Sequence, residues 1–169
     1  MELEQAIRGR RTNKVYRPEP VPRPVLEELF ELARWAPNHH LTNPWRFRVV
    51  GPGALARLKD AAGEEAAAKL DRAPTLVAVT ALLSGDPVSD EEDILAAGCA
   101  AYIVLLAAHG RGLASYWRTP AVLRTLEGRA ALGLADDEHF IGLLYLGRPR
   151  QEQRVPDRAP AADVVSWLD

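Results

Sequence analysis

Apolar positions recur along the chain at two periods. At helical spacing, Leu3, Ala6 and Ile7 share one face of a segment from Met1 to about Gly9, and Leu26, Leu29, Phe30 and Ala33 share one face of a second, from about Pro24 to Trp35. Between them, prolines at 18, 20, 22 and 24 allow only an extended connector, since proline lacks the backbone donor and disfavours helix in the residue before it. Charged and apolar side chains alternate from Arg46 to Val50, the pattern of a strand. A helix of Ala, Lys and Glu then runs from Gly51 to about Leu70, followed by a strand from Thr75 to Leu83. Ser89 and Glu92 stand at capping-box spacing and open the longest helix, about Asp90 to His109. A shorter helix from about Ala121 to Leu132, a solvated acidic turn at Asp136-Asp137-Glu138, and a buried strand from Phe140 to Leu146 complete the pattern.

The long helix is apolar nearly all round, with small residues in its first half (Ala96, Ala97, Gly98, Ala100, Ala101) and Tyr102 to Leu106 in its second. Such a helix is buried on all sides. In a chain of 169 residues, that implies the core on one side and a partner chain on the other. Cys99, in its middle, reads as a small core residue and not as a nucleophile. The uncharged run from Ile94 to Ala108 is shorter than the ~20 residues a membrane span requires, so no membrane is expected.

Composition narrows the class further. Apolar residues make up 47% and charged residues 26%, the balance of an ordinary globular protein, and the length fits one domain. The net charge of −2, with both signs interspersed, gives no electrostatic case for nucleic acid. One cysteine cannot form an internal disulfide, which fits a reducing cytoplasm. Charges in the first ten residues break up any signal-like segment.

Candidate chemistry gathers on turns. Residues 36–45 carry two prolines, two asparagines, adjacent histidines and Trp45, more aromatic and hydrogen-bonding groups than a turn needs, between a helix and a strand. Arg10 and Arg11 either complement a helix C-terminus or form an anion site. Tyr116-Trp117-Arg118-Thr119-Pro120 is either a capped strand end or a place for a planar ligand with an anionic tail. Ser84, Ser89, Ser115 and Ser166 lie in no nucleophile motif, and His39 and His40, being adjacent, cannot converge on a metal. Gly51-Pro52-Gly53-Ala54-Leu55-Ala56 matches the dinucleotide fingerprint between a strand and a helix, but Pro52 sits in the turn and the incoming strand is half polar. Arginines, amides and indoles on separated turns hold a cofactor that carries the reaction.

Four stretches in order make the chain resemble the FMN-dependent nitroreductase family, and its short bacterial branch most. They are Arg10-Arg11-Thr12 before a Pro-Val-Pro connector, Ala36-Pro37 through Pro44-Trp45-Arg46-Phe47, Gly112 through Thr119, and Gly142-Leu143-Leu144-Tyr145-Leu146-Gly147 with Pro149. The resemblance spans residues 2 to 150. It implies an α+β fold, a mostly antiparallel central sheet flanked by helices, dimerising through the long central helix with FMN at the subunit interface. Residues 1–150 would form the FMN-binding domain and 151–169 a C-terminal arm; its apolar end (Val164, Val165, Trp167, Leu168) is expected to dock on the partner subunit.

By position, Arg10, Arg11 and Thr12 would hold the flavin phosphate and ribityl chain, and Trp117, Arg118 and Thr119 would bind FMN from the same subunit. Trp35, Asn38 and His39 would reach it from the partner, with Asn43 beside them, and the turn from His109 to Gly112 would receive the nicotinamide nucleotide. Asn38 departs from the Asp usual in the short branch, and Asn43 from the Gln usual in the family. The implied function is a homodimeric, cytoplasmic NAD(P)H oxidoreductase passing hydride through FMN to nitroaromatics, quinones or similar small acceptors. The alternatives are a non-flavin Rossmann-type dehydrogenase using Gly51–Ala56 and a flavoprotein of this fold with a non-reductase role.

Overall fold

A computed structural model describes residues 1–168. Its centre is a four-stranded sheet of order β1-β2-β4-β3, formed by β1 (Trp45–Val49), β2 (Thr75–Leu82), β3 (Ala114–Arg118) and β4 (Glu138–Gly147). Every neighbouring pair is antiparallel. Around it lie α1 (Leu3–Gly9), α2 (Arg23–Ala33), α3 (Pro52–Ala62), α4 (Glu64–Ala67), α5 (Pro87–Gly110) and α6 (Leu126–Ala131).

Strand alternation sends successive side chains to opposite faces and so builds two cores. Val77, Val79 and Ala81 of β2 join Leu144 and Leu146 of β4 beneath α2 and α5. Leu76 and Ala78 join Phe140, Leu143 and Tyr145 on the other face, covered by Leu58 of α3, by Leu123 of a 3-10 turn at Ala121–Arg124 and by Ala131 of α6. Both faces of β2 and β4 are therefore buried, which explains their near-continuous apolar runs. The register shifts between Val79, opposite Gly142, and Thr80, opposite Phe140. Ile141 is the extra residue of this bulge.

Four elements differ from the sequence expectation, one being the helix expected from about Ala121 to Leu132: it is a 3-10 turn at Ala121–Arg124, then α6 from Leu126, capped by the Thr125 side chain. The helix expected from Gly51 to Leu70 breaks at Gly63, whose φ of +73° interrupts the helical path, and a 3-10 turn at Leu70–Arg72 ends the segment. α5 begins earlier than Asp90: its N-cap is Asp86, whose carboxylate accepts from the Ser89 amide at 2.9 Å, with Pro87 at the first helical position. Ser89 thus belongs to the first turn instead of capping it. Glu138 is not part of a solvated turn. It is buried at the start of β4, where Arg48 reaches it from β1 with a two-pronged contact at 2.5 and 2.6 Å, and Thr80 of β2 also donates to it.

The long helix also departs in part. Ala96, Ala97, Ala100, Ala101, Val104 and Leu105 pack on the sheet, but Leu95 (64% exposed), Cys99 and Tyr102 form an open stripe on the far side. Cys99 is therefore no core residue: its place on the helix turns it away from the sheet. α5 has 24 residues and an 18-residue stretch of mean hydropathy 1.6, which makes it long and apolar enough to cross a membrane. Here its buried side is instead part of the core.

The Rossmann alternative fails on topology. β1 pairs with β2 antiparallel, so Gly51–Ala56 does not open the crossover between parallel strands on which a dinucleotide site depends. Beyond Gly147 the chain runs back beside the N-terminal connector, with Tyr16 bridged to Pro149, and ends in exposed apolar residues including Trp167 and Leu168.

Candidate functional site

Two of the predicted segments meet within one chain. Past α1, Thr12 forms a parallel bridge to Ser115, and the Asn13 amide donates to the Ser115 carbonyl at 3.0 Å. Arg10–Thr12 thus lies along β3, which carries Trp117 and Arg118 at its far end. Within β3 the side chains split. Trp117 lies on the α5 side, against Gly98, and its indole donates to the Ile141 carbonyl at 3.2 Å. Arg118 lies on the opposite face, donating to the Tyr145 hydroxyl at 3.1 Å and sitting over the Tyr116 and Tyr145 rings. Lys14 also faces the Tyr116 ring, a cation the sequence reading missed because it stands alone beside the connector. Burial pushes the Tyr145 hydroxyl pKa up, and the Arg118 guanidinium offsets only part of that. Thr119 is exposed at the strand end.

The third segment lies elsewhere. Residues 35–43 precede β1, the strand at the sheet edge opposite β3. Three strand spacings, roughly 14 Å, separate those edges. Trp35 is 75% exposed beneath the Arg34 guanidinium. Asn38 accepts from the Asn43 amide at 3.0 Å, and the Asn43 side chain donates to the Leu41 carbonyl at 2.6 Å, so both amides brace their own loop. His39 Nδ1 lies 2.7 Å from the Glu92 carboxylate on α5, and its ring stacks on His40 at 3.8 Å. His40, Leu41 and Asn43 all adopt positive φ (51°, 54° and 48°). Non-glycine residues held there are strained, and such strain clusters at functional sites.

Around Arg10 and Arg11 the structure opens a cavity of about 620 Å³, whose wall includes Asn13, His109, Gly112, Ser115 and Gln153. A smaller one of about 280 Å³ adjoins it and is lined by Arg10, Arg11, Thr12, Gln153, Arg154 and Arg158 among others. Burial, then Arg10 and Arg11, pushes the His109 pKa down, so this wall favours a neutral imidazole beside two fixed cations. Ser115 is 1% exposed and its hydroxyl has no partner among the described residues; Arg11 Nε is likewise buried and unpaired among them. Unpaired buried donors beside arginines suit a ligand rich in anionic and hydroxyl oxygens, and a phosphorylated polyol chain such as that of FMN fits this donor set.

The same order of elements occurs in known proteins. The model of the Nitroreductase family matches residues 7–69 and 63–148. YfhC of Bacillus subtilis, which bears the provisional name of an NAD(P)H nitroreductase, is 28% identical over 95% of this chain and 91% of its own length. A nitroreductase-like family protein from Bacillus cereus superposes with a TM-score of 0.90 at 20% identity, covering 100% of this chain and 97% of that one. A Desulfovibrio desulfuricans structure, provisionally named a nitroreductase and solved in complex with FMN, superposes with a TM-score of 0.81 at 26% identity over 98% of this chain and 96% of that one. The chain belongs to the nitroreductase family.

Proposed function

We propose that the protein is a homodimeric, FMN-dependent NAD(P)H oxidoreductase. The observation that carries this reading is the paired cavity at Arg10 and Arg11, with its unpaired buried donors, alongside the strand that presents Trp117 and Arg118. When bound, FMN supplies the redox chemistry: hydride in from NAD(P)H, electrons out to a nitroaromatic, quinone or similar small acceptor. Arg10, Arg11 and Thr12 hold the phosphate and ribityl tail. Trp117, Arg118 and Thr119 position the ring from the same subunit. Trp35, Asn38 and His39, with Asn43 bracing their loop, approach from the partner, since within one chain they precede β1, the edge strand opposite β3.

Dimerisation covers the open stripe of Leu95, Cys99 and Tyr102, and the arm from residue 151 docks its apolar end on the partner. The turn from His109 to Gly112 receives the nicotinamide nucleotide. A reducing cytoplasm is the compartment that suits a single exposed thiol.

The purified protein is expected to be yellow or to take up FMN, and anaerobic NADPH or NADH to bleach it. A protein that binds no flavin sinks the reading. One that binds flavin but is bleached by neither nucleotide is a flavoprotein of another kind. Arg10→Ala and Arg118→Ala are each expected to weaken FMN binding by about tenfold or more with the circular dichroism spectrum unchanged, a single charge-assisted contact contributing about 1.5–3 kcal/mol. Full flavin retention in either variant removes that residue from the site.

A further inference from the structure

We propose that Glu92 is a positioning residue for His39, fixing the tautomer in which its imidazole meets FMN, so that the loop is set before the cofactor binds. The proposal rests on the flavin reading above, in which His39 approaches the FMN of the partner subunit.

The loop does not owe its shape to local preference. His40, Leu41 and Asn43 all carry φ near +50°, which is unfavourable for any residue with a Cβ. Bonds from Asn43 to Asn38 and Leu41 hold the loop to itself. Two further contacts hold it to α5. His39 Nδ1 lies 2.7 Å from a Glu92 oxygen, and the Thr42 hydroxyl donates to Asp93 at 2.6 Å. Glu92 and Asp93 are adjacent on the helix, so one short turn is tied down at two neighbouring points. His40 stacks on the His39 ring at 3.8 Å and 24° between planes. The imidazole is therefore held at one edge by Glu92 and on one face by His40.

The two ties to α5 have different consequences. Asp93 is 4% exposed, and its bond to Thr42 anchors the backbone of the loop. The Glu92 and His39 side chains are 43% and 59% exposed, so their contact adds little to the stability of the fold. What it does set is the position of a proton. A carboxylate oxygen only accepts, so Nδ1 carries the hydrogen and, in the neutral ring, Nε2 presents a lone pair. Carboxylates orient histidines toward metals by the same bond. His39 in this form meets the cofactor as an acceptor, and the oxidised flavin ring offers one matching N–H, in its pyrimidine half. Fixing the ring beforehand removes an ordering cost from binding.

The test uses the full chain stripped of flavin, with its histidine rings labelled with nitrogen-15, in alkaline buffer where the rings are neutral. The His39 signal, assigned by its loss in His39→Ala, is expected to show the Nδ1–H form. Glu92→Ala is expected to move it toward the Nε2–H form, whereas Thr42→Val, which cuts the other tie to α5, keeps it. In FMN titrations, Glu92→Ala is expected to weaken binding about two- to tenfold, the range of one neutral hydrogen bond. The double variant His39→Ala/Glu92→Ala is expected to bind no more weakly than His39→Ala, because Glu92 acts through the ring. An unchanged tautomer in Glu92→Ala, the same change in Thr42→Val, or losses that multiply in the double variant each overturn the proposal. Full FMN affinity in His39→Ala overturns it and leaves the flavin reading standing. A wild-type protein that binds no FMN overturns both.

Discussion

Replacing Glu138 with alanine is expected to lower the unfolding free energy by about 3 kcal/mol, toward the lower end of the range for breaking a buried ion pair. Three strands depend on this carboxylate: Arg48 of β1 reaches it from one side, Thr80 of β2 from below, and its own β4 follows. Its side chain is 5% exposed, while that of Arg48 is 29% exposed, so the stranded guanidinium regains some water and the loss stays below the maximum. Glu138→Gln keeps the shape and is expected to cost less. Urea denaturation reads both; a loss below about 1 kcal/mol for the alanine variant, within the usual spread for surface positions, would mean the pair contributes little.

The same group sets an acid limit. Burial pushes the Glu138 pKa up, but hydrogen bonds from Arg48 and Thr80 outweigh it and hold the carboxyl below the ordinary glutamate value. A depressed folded value means that the carboxylate's contribution is complete above the unfolded pKa, about 4.3, and is lost as pH falls through the lower folded value. The wild-type and Glu138→Gln stabilities should therefore converge as the pH is taken from about 5 downward. Curves that stay parallel across that window would exclude this linkage.

Gly142→Val is expected to damage both stability and the site. The β-bulge turns Gly142 toward Trp117, and a Cβ built there overlaps the indole nitrogen. The ring must then leave its place, giving up the bond to Ile141 and the contact with Gly98 on α5. Overpacking of this kind costs about 1–3 kcal/mol, which at roughly 2–4 °C per kcal/mol for a chain of this size is a readily measured fall in the thermal midpoint. FMN retention should fall with it, and the tryptophan emission should shift to the red. A variant with the wild-type midpoint and full flavin content would show that Trp117 has another resting place.

How much of this was legible beforehand depends on the range of the interaction. Periods of 3.6 and 2 located β1, β2, β4 and the main helices to within a few residues, because those periods record which faces are buried, whereas β3 was only one of two readings of its segment. Local rules failed where a nearby competitor existed. Asp86 displaced Ser89 as the cap of α5 because it sits one residue before Pro87, and Gly63 divided a helix that composition alone would have continued. Cys99 was misplaced because a helix apolar all round does not say which side meets the sheet; its open face with Leu95 and Tyr102 follows from packing.

The chain's sequence by itself determined the elements, the family resemblance and the residue types available for a cofactor site, because these depend on neighbours a few positions apart and on the order of short motifs. Only the tertiary structure decided which of those residues share a wall. It placed Thr12 beside Ser115, sent Trp117 and Arg118 to opposite faces of one strand, and set residues 35–43 ahead of β1, the edge strand opposite β3. It also buried Glu138, which an acidic run concealed, and left Ser115, Arg11 and Gln153 unpaired around one cavity. The physical reason is that hydrogen bonds and ion pairs between residues 90 to 138 positions apart are created by strand pairing and packing, and no local pattern encodes their partners.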